Sequence, residues 1–215
     1  MINEMNRYMT TGRRGGRMTV AQDKIMKSAA ENKYLIGVKD LQVWLNRSGQ
    51  KVVEVGFGMG ESLHMMSAHN TDDQYLGIDV YKPGVAALLK KIGHEPVSNL
   101  CVMHDDAIDV LSMLPDQSIH RIQCYFPDPW RKKRHRKRRL FHTVFTKELK
   151  RVLKPDGLWH LITDWMDYAD DLVHTLQGEW VVVNEVPAFF RPVTKYESRG
   201  LKKGHQIYEF LISKQ

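Results

Sequence analysis

The 215-residue sequence contains little of what secreted, membrane-anchored or metal-binding proteins need. Its two cysteines, Cys101 and Cys124, cannot build a disulfide framework, and we interpret both as core residues rather than nucleophiles. No stretch comes near the roughly 18 apolar residues of a membrane-spanning helix, and the first residues lack the apolar centre of a signal peptide. CxxC and HExxH spacings are also missing. The sequence therefore predicts a cytoplasmic protein without a membrane anchor or a bound metal.

Positive charge, by contrast, is concentrated in one place. Of the nine residues 131–139, eight are Lys or Arg and the ninth is His135. The chain has a formal charge of +7, so subtracting these eight cations leaves −1. Such a local basic excess is typical of a surface that contacts the phosphates of a nucleic acid. A solvated patch without a partner is the alternative.

Short apolar runs alternate with helical patterns along most of the chain, which predicts an α/β fold with helices on both faces of a mostly parallel sheet. The predicted strands are 51–55, 75–80, 100–104, 118–126, 158–163, 180–186 and 207–213. The predicted helices between them are 61–69, 84–92, 107–113, 140–153 and 165–176. A turn is expected at 154–157 and a loop at 191–200.

The N-terminal stretch differs from the rest in composition. Residues 1–18 are polar, glycine-rich and basic, and we predict a flexible arm there. It is either a disordered terminus or an arm that touches RNA. Residues 19–215 show no internal repeat or low-complexity linker, so one domain is expected over that range.

A glycine-rich loop follows the first predicted strand, with Glu54 just before it and Gly56, Gly58 and Gly60 within it. Glycines let the backbone turn sharply and approach a ligand closely. Two cofactors compete for such a loop, NAD and S-adenosylmethionine. The position that completes a dinucleotide fingerprint is Glu61, an anion where a pyrophosphate would lie, which argues against NAD. Glu54 suits a ligand with a positive end, such as the ammonium of S-adenosylmethionine.

Acidic residues end the following strands. Asp79 is placed to accept both ribose hydroxyls of an adenosine. Asp106 is placed to accept the adenine amino group, although a helix N-cap is the simpler interpretation of that residue alone. Because the carboxyl ends of parallel strands meet at one edge of a sheet, these acids and the glycine loop are expected together there. The combined pattern favours S-adenosylmethionine.

The sequence FPDPW at 126–130 holds an aspartate between two prolines. Pro127 and Pro129 restrict the backbone, so Asp128 is held in place before a substrate arrives. A carboxylate matches the Watson–Crick edge of guanine, where N1–H and the N2 amino group are both donors, and this leaves N7 free. N7 already has a lone pair, so its methylation needs no base, and a fixed anion would stabilise the cationic product. A proline-rich turn with an exposed acid is the alternative.

Together these motifs resemble the bacterial tRNA (guanine-N7)-methyltransferase family. EVGFGMGESL, GIDVYKPGV, FPDPW with its basic run, TDW and RPVTKYESRG occur in the family's order, and the resemblance covers about residues 14–213. It implies a class I S-adenosylmethionine-dependent methyltransferase fold, which is Rossmann-like. It also implies methylation of guanine N7 in the tRNA variable loop, at position 46, with S-adenosylhomocysteine as the second product. Asp79 stands where Glu is common in the family, and Tyr196 where Phe is common.

The resemblance also implies roles for individual residues. Asp128 is the implied catalytic residue. The implied cofactor-binding residues are Glu54, Gly56, Gly58, Gly60, Asp79, Asp106 and Asp128. The implied contacts to the target guanosine are Lys132, Asp164, Thr194, Lys195, Tyr196 and Glu197. The implied RNA-binding residues are Arg134, His135, Arg136, Lys137, Arg138 and Arg139.

Two other functions remain open at this point. One is an RNA-binding module that holds S-adenosylmethionine without transferring its methyl group, for which the basic run alone would suffice. The other is a methyltransferase that acts on a protein or a small molecule, which would leave the basic run without a use. The sequence does not decide between a monomer and a homodimer.

Overall fold

The computed structural model describes residues 18–28, 32–141, 143–176, 178, 180–183 and 189–215. Almost all of the expected N-terminal arm, and the end of the strand predicted at 180–186, lie outside these residues. Seven strands form one sheet: β1 Lys51–Val55, β2 Gln74–Ile78, β3 Leu100–Met103, β4 Ile119–Tyr125, β5 Leu153–Thr163, β6 Trp180–Val183 and β7 Tyr208–Lys214.

The strand order is β3-β2-β1-β4-β5-β7-β6. The first five strands in this order pair in parallel, and β7 is antiparallel to both β5 and β6. The expected α/β fold with a mostly parallel sheet is therefore confirmed. The chain runs outward from β1 to β3 on one side and from β4 onward on the other. The carboxyl ends of β1 and β4 thus flank the point where the winding reverses, which is where ligands bind in such sheets.

Eight α-helices are found in the described residues, together with 3₁₀ turns at Val38–Asp40 and Lys133–Arg138. They are α1 Val20–Lys27, α2 Leu41–Leu45, α3 Glu61–His69, α4 Lys82–His94, α5 Ala107–Met113, α6 Thr143–Val152, α7 Met166–Leu176 and α8 Lys195–Lys202. Among these residues no helix has both the length and the apolar character that crossing a bilayer requires.

The core consists of two apolar clusters, because both faces of the central strands are covered. One cluster includes Trp44, Phe145 and Trp159. The other includes Leu63 and Leu88, from the helices that follow β1 and β2. All five residues of β1 are buried, Lys51 and Glu54 included, as expected of a central parallel strand that is covered on both faces.

Three details differ from the sequence-based expectation. The loop expected at 191–200 contains a helix, α8, whose first turn is closed by a capping box between Thr194 and Glu197. The turn expected at 154–157 is part of β5, which begins at Leu153 with an irregularity in its register against β4. The helix expected from 140 to 153 is shorter, because Leu153 already pairs with Ile119 of β4.

Candidate methyl-transfer site

The glycine loop after β1 has the backbone conformation that its sequence indicates. Gly56, Gly58 and Gly60 have φ angles of +75°, +61° and +74°, in the left-handed region that favours glycine. A Cβ on Gly60 would lie 2.8 Å from side-chain atoms of Leu88, so packing also excludes a larger residue there. A Cβ on Gly56 would meet no atom within 4 Å, so this part of the loop borders open space.

Asp79 fixes this loop to the end of β2. Its Oδ2 accepts a hydrogen bond from the Gly58 amide at 2.7 Å, and its Oδ1 accepts one from the Tyr81 amide at 2.8 Å. The carboxylate is buried, and burial raises its pKa above the usual value, although both backbone donors oppose the shift. Asp79 thus shapes the loop as well as lying at the edge where a ribose is expected.

Glu54 lies beneath the loop and is buried. Its Oε2 accepts a hydrogen bond from Gln123 Nε2 at 3.2 Å. Burial raises the pKa of this carboxyl to about 8, and the nearby Asp79 charge adds to the increase. A buried carboxyl without a cation attracts one, so the ammonium of S-adenosylmethionine fits the chemistry of this position.

Asp106 is the N-cap of α5, with Oδ1 accepting from the Ile108 amide at 2.8 Å. The simpler of the two interpretations of this residue, a helix cap, therefore holds in the structure. Because α5 begins directly after β3, the cap stands at the same edge of the sheet as Asp79. Contact between Asp106 and an adenine amino group stays a prediction.

The FPDPW segment follows β4 and is strained at both ends. Phe126 and Trp130 have φ angles of +50° and +40°, which bulky residues rarely adopt. Such a conformation costs on the order of 1–3 kcal/mol per residue and is concentrated at functional sites. Asp128, between them, is exposed, and its carboxylate has no hydrogen-bond partner in the part of the chain that the structure describes. The segment presents an acceptor to solvent at a fixed place.

The basic run forms the 3₁₀ turn Lys133–Arg138, and the fold sorts its cations into two sets. The exposed set comprises Arg131, Lys132, Lys133, Arg134, Lys137 and Arg138. Two of these lie over tryptophans: the Arg131 guanidinium is 4.2 Å from the Trp165 ring centre, and that of Arg138 is 5.0 Å from that of Trp130. Trp130 also meets His135 edge-on, with ring centres 6.0 Å apart.

Arg139 belongs to the second set. Its side chain is 3% exposed, and it forms ion pairs with Asp167 and Asp171 of α7. Its Nε also donates to the carbonyl of Pro129 at 2.9 Å. The expectation that Arg139 contacts RNA does not agree with this burial, because its guanidinium is already used inside the protein to hold the segment that carries Asp128. Arg136 is partly drawn inward as well, by an ion pair with Asp167.

Helix α8 brings two further predicted residues to the site. The Tyr196 ring stacks beside Phe126, with centres 6.5 Å apart and planes 23° apart. A Cβ on Gly58 would lie 4.0 Å from the Tyr196 phenol, so the same ring also faces the glycine loop. Tyr196 thus brings the glycine loop, the FPDPW segment and α8 together, and the surface between these three segments is called the cleft below. Lys195 lies exposed on the first turn of α8, next to this ring.

Three of the other predicted guanosine contacts, Thr194, Glu197 and Asp164, are engaged within the protein. Thr194 Oγ1 accepts from the Glu197 amide at 3.1 Å, and Glu197 Oε2 accepts from the Thr194 amide at 3.3 Å. Asp164, after β5, pairs with His205 Nδ1 at 2.8 Å. Lys132 is exposed at the start of the 3₁₀ turn. Contacts of these residues with a guanosine stay predictions.

Sequence reasoning missed a group of paired polar residues next to α8, namely the half-buried Arg191, the exposed Glu209 and the buried His160. No short motif marks them, since they come from separate parts of the chain. The nearest local signal in the sequence is the T-x-x-E pattern of Thr194 and Glu197, which predicts the start of the helix that Arg191 contacts. In the described residues, no group of three or more His, Cys, Asp or Glu side chains is arranged to hold a metal ion.

Comparisons with known proteins give the relatives of this chain. Residues 48–210 match the family model described as "Putative methyltransferase". The chain is 39% identical over 212 residues to the tRNA (guanine-N(7)-)-methyltransferase of Dechloromonas aromatica (strain RCB), covering 94% of this chain and 86% of the relative. It is 41% identical over 205 residues to the enzyme of the same description from Nitrosococcus oceani, covering 92% and 86%. A crystal structure of a SAM-dependent methyltransferase from Aquifex aeolicus superposes with a TM-score of 0.51 at 18% identity, covering 90% of this chain and 98% of that one, and supports the fold.

Proposed function

Because this chain belongs to the tRNA (guanine-N(7)-)-methyltransferase family, we propose that it transfers the methyl group of S-adenosylmethionine to N7 of a guanine in tRNA. The products are 7-methylguanosine and S-adenosylhomocysteine. The observation that carries the proposal is the cleft in which Tyr196 lies beside Phe126 and opposite Gly58. This cleft joins the loop expected to hold the cofactor to the strained segment that presents Asp128.

The residues around the glycine loop fit S-adenosylmethionine. Glu54 is a buried carboxyl suited to its ammonium, Gly56 borders open space, and Asp79 and Asp106 supply carboxylates at the adjacent strand ends. When bound, S-adenosylmethionine supplies a methyl group on a sulfonium, and the N7 lone pair forms the new bond as the bond to sulfur breaks. No proton has to be removed from N7, so the protein needs no general base for this step.

Asp128 is the residue we assign to the target base. Its carboxylate is ready to accept the two donors of the guanine Watson–Crick edge, and its negative charge would stabilise the purine as it becomes cationic. The strained residues on both sides and the bond from Arg139 to the Pro129 carbonyl limit its movement. This preorganisation supports alignment of N7 with the methyl group, which is the remaining source of rate.

The exposed cations of the basic run form the surface that we assign to RNA binding. Lys133, Arg134, Lys137 and Arg138 project from a turn that begins three residues after Trp130, so phosphates bound there would lie close to the reacting base. Arg139 is left out of this surface because it is buried. The target guanine is proposed to be the one at position 46 of the variable loop, and the compartment to be the cytoplasm, because tRNA is the substrate.

The product of the reaction tests the proposal. Purified protein is incubated with unmodified tRNA and methyl-labelled S-adenosylmethionine, and the tRNA is digested to nucleosides. We expect the label in 7-methylguanosine, and reduction followed by strand cleavage at the methylated base maps its position. Label in another nucleoside would contradict the base assignment. Binding of both tRNA and S-adenosylmethionine without any transfer would support the RNA-binding module instead.

A further inference from the structure

Arg191 joins three parts of the chain behind the cleft. Its guanidinium forms a two-pronged ion pair with Glu197 of α8, with N–O distances of 2.6 and 3.2 Å. The same group reaches Glu209 of β7 at 3.3 Å. The side chains of Arg191 and Glu197 are only 14% and 9% exposed. A paired guanidinium at such burial holds its partners more firmly than an exposed ion pair does.

The contacts continue from Glu209 of β7 to residues of β5 and β4. His160 of β5 is fully buried, and its Nε2 lies 2.7 Å from Glu209 Oε1. On its other side, Nδ1 lies 2.9 Å from the hydroxyl of Tyr125, the last residue of β4. Burial lowers the pKa of His160, which favours a neutral ring that donates from Nε2 and accepts the tyrosine proton at Nδ1. The hydrogen bond from His160 and the charge of Arg191 lower the pKa of Glu209, so that it is an ionised partner.

A second contact holds the other end of α8. Gly200 lies so close to Asp164 that a Cβ there would be 3.1 Å from Oδ2. His205 donates its amide to the Gly200 carbonyl at 3.0 Å, and its ring pairs with the same Asp164 oxygen at 2.8 Å. The start of the helix is therefore linked through Arg191 to β7, and its end is linked through His205 to Asp164, the residue that follows β5. Tyr196, which projects from its first turn into the cleft, has its position set by these contacts.

From this arrangement we propose that Arg191 is a positioning residue of the methyl-transfer site. It acts through Glu197, whose carboxylate it orients, and it fixes the start of α8 so that Tyr196 stays between Phe126 and Gly58. Within the described residues, the polar contacts of Arg191 go to Glu197, Glu209 and the Pro192 carbonyl and not to Tyr196. The proposal rests on the proposed function, because it concerns the geometry in which the target base meets the cofactor.

If Arg191 had a purely structural role, its replacement would lower stability without changing catalysis beyond that. Arg151 provides the matched control for this distinction. Arg151 also makes two ion pairs, with Asp116 and Glu148, and donates to two backbone carbonyls, but it joins α6 to residues at the opposite edge of the sheet from the cleft. Both Arg191→Met and Arg151→Met should lower the melting temperature. Only Arg191→Met should change catalysis.

The experiment measures kcat and KM for tRNA methylation at a temperature where circular dichroism shows each variant to be folded. We expect Arg191→Met to lower kcat by up to about 100-fold, the loss that a displacement of about 1 Å causes at a reacting centre. Arg191→Lys keeps the charge but not the planar fork, so an intermediate loss is expected. Arg151→Met should keep kcat within about twofold, since it lies outside the site.

A double-mutant cycle tests the route of the effect. If Arg191 acts through Glu197, then Arg191→Met combined with Glu197→Gln should reduce kcat about as much as the more harmful single change. Losses that multiply independently would overturn the proposal, as would an unchanged kcat in both Arg191→Met and Arg191→Lys. An inactive wild-type protein would contradict the proposed function itself, which separates the two failures.

Discussion

Asp128 owes its proposed role to the position in which the FPDPW segment holds it. Its carboxylate is exposed between Phe126 and Trp130, two residues whose backbone is held in the left-handed region. An exposed acceptor on a strained segment has its geometry set in advance, so that little ordering remains to be done when a base arrives. The two prolines explain why the segment is stiff, but the strain at its ends comes from the surrounding structure.

Asp128→Asn tests the electrostatic part of this role. The amide keeps the shape of the side chain but loses the negative charge, and it presents a donor to the donor edge of guanine. We expect kcat to fall by about 100-fold or more, as when one preorganised charge-stabilising group is removed from an active site. Filter binding should show tRNA affinity within about threefold of the wild type, because the exposed cations are unchanged. A kcat close to that of the wild type would remove Asp128 from the mechanism.

Glu54 shows a cost of the proposed cofactor site. Its pKa is raised to about 8 by burial, whereas in an unfolded chain it would be near 4.5. Between these two values the folded protein retains a proton that the unfolded chain releases. The free energy of unfolding therefore falls as the pH rises through this range.

Glu54→Gln should remove this cost, because an amide keeps an oxygen acceptor for Gln123 and does not titrate. We expect the variant to be more stable at pH 7 by roughly 3 kcal/mol, and the part of the stability profile due to this residue to flatten between pH 4.5 and 8. Urea unfolding at several pH values measures both effects. Calorimetry should also show weaker binding of S-adenosylmethionine to the variant. Equal stability at all pH values would contradict the assignment.

At the scale of the elements, α8 is the one that changes the interpretation of the site. As a loop, residues 191–200 would be a set of polar groups without an order. As a helix with a capping box, the same residues direct Tyr196 into the cleft and Glu197 toward Arg191. The T-x-x-E pattern indicates the helix start, but the placement of the helix requires partners from β7 and from Asp164, which follows β5.

The capping box of α8 has a counterpart that serves as its control. Thr194 with Glu197, and Thr19 with Gln22 at the start of α1, form the same pair of bonds. Thr194→Ala and Thr19→Ala should each lower the free energy of unfolding by about 1 kcal/mol, the usual value of an N-cap. Only Thr194→Ala should also lower kcat, because α8 lines the cleft. Equal kcat in the two variants would show that the first turn of α8 has no part in catalysis.

At the scale of the whole molecule, the basic run has two separate uses. Its exposed cations form a surface beside the FPDPW segment, while Arg139 is buried against α7 and holds the Pro129 carbonyl. Asp167 and Asp171 therefore neutralise the buried Arg139. The exposed cations of the run stay available for phosphates.

This division predicts different effects of two substitutions in one short segment. Lys137→Ala should weaken tRNA binding and reduce the slope of log affinity against log salt by about 0.7–0.9, the value of one phosphate contact. Arg139→Met should leave that slope unchanged and lower the free energy of unfolding by roughly 1–3 kcal/mol, because the Pro129 carbonyl and two partly exposed carboxylates lose their donor. Salt titrations and chemical unfolding measure the two quantities. A reduced slope in Arg139→Met would return this residue to the RNA-binding surface.

Much of the fold was predictable because it depends on local patterns. Apolar runs of strand length, helical spacing between them, and Gly or Asp at each strand end indicate a mostly parallel sheet with a ligand edge. Asp79 and Asp106 were predicted at that edge, and they lie there, because the carboxyl ends of parallel strands must meet. The bond from the Ile108 amide to Asp106 is the helix cap that the sequence also indicated, whereas the bond from the Gly58 amide to Asp79 was not predictable, since it depends on how closely the loop packs.

The sequence by itself therefore determined which segments along the chain form most of the strands and helices, which functional groups lie at the sheet edge, and the resemblance to a family. These follow from residue type and spacing. The tertiary structure decided which cations face solvent, how Arg191 reaches both Glu197 and Glu209, and how far burial shifts the pKa of Glu54. The physical reason is that burial, ion pairing and backbone strain depend on residues far apart in the chain, and these become neighbours only when the sheet and its helices have packed.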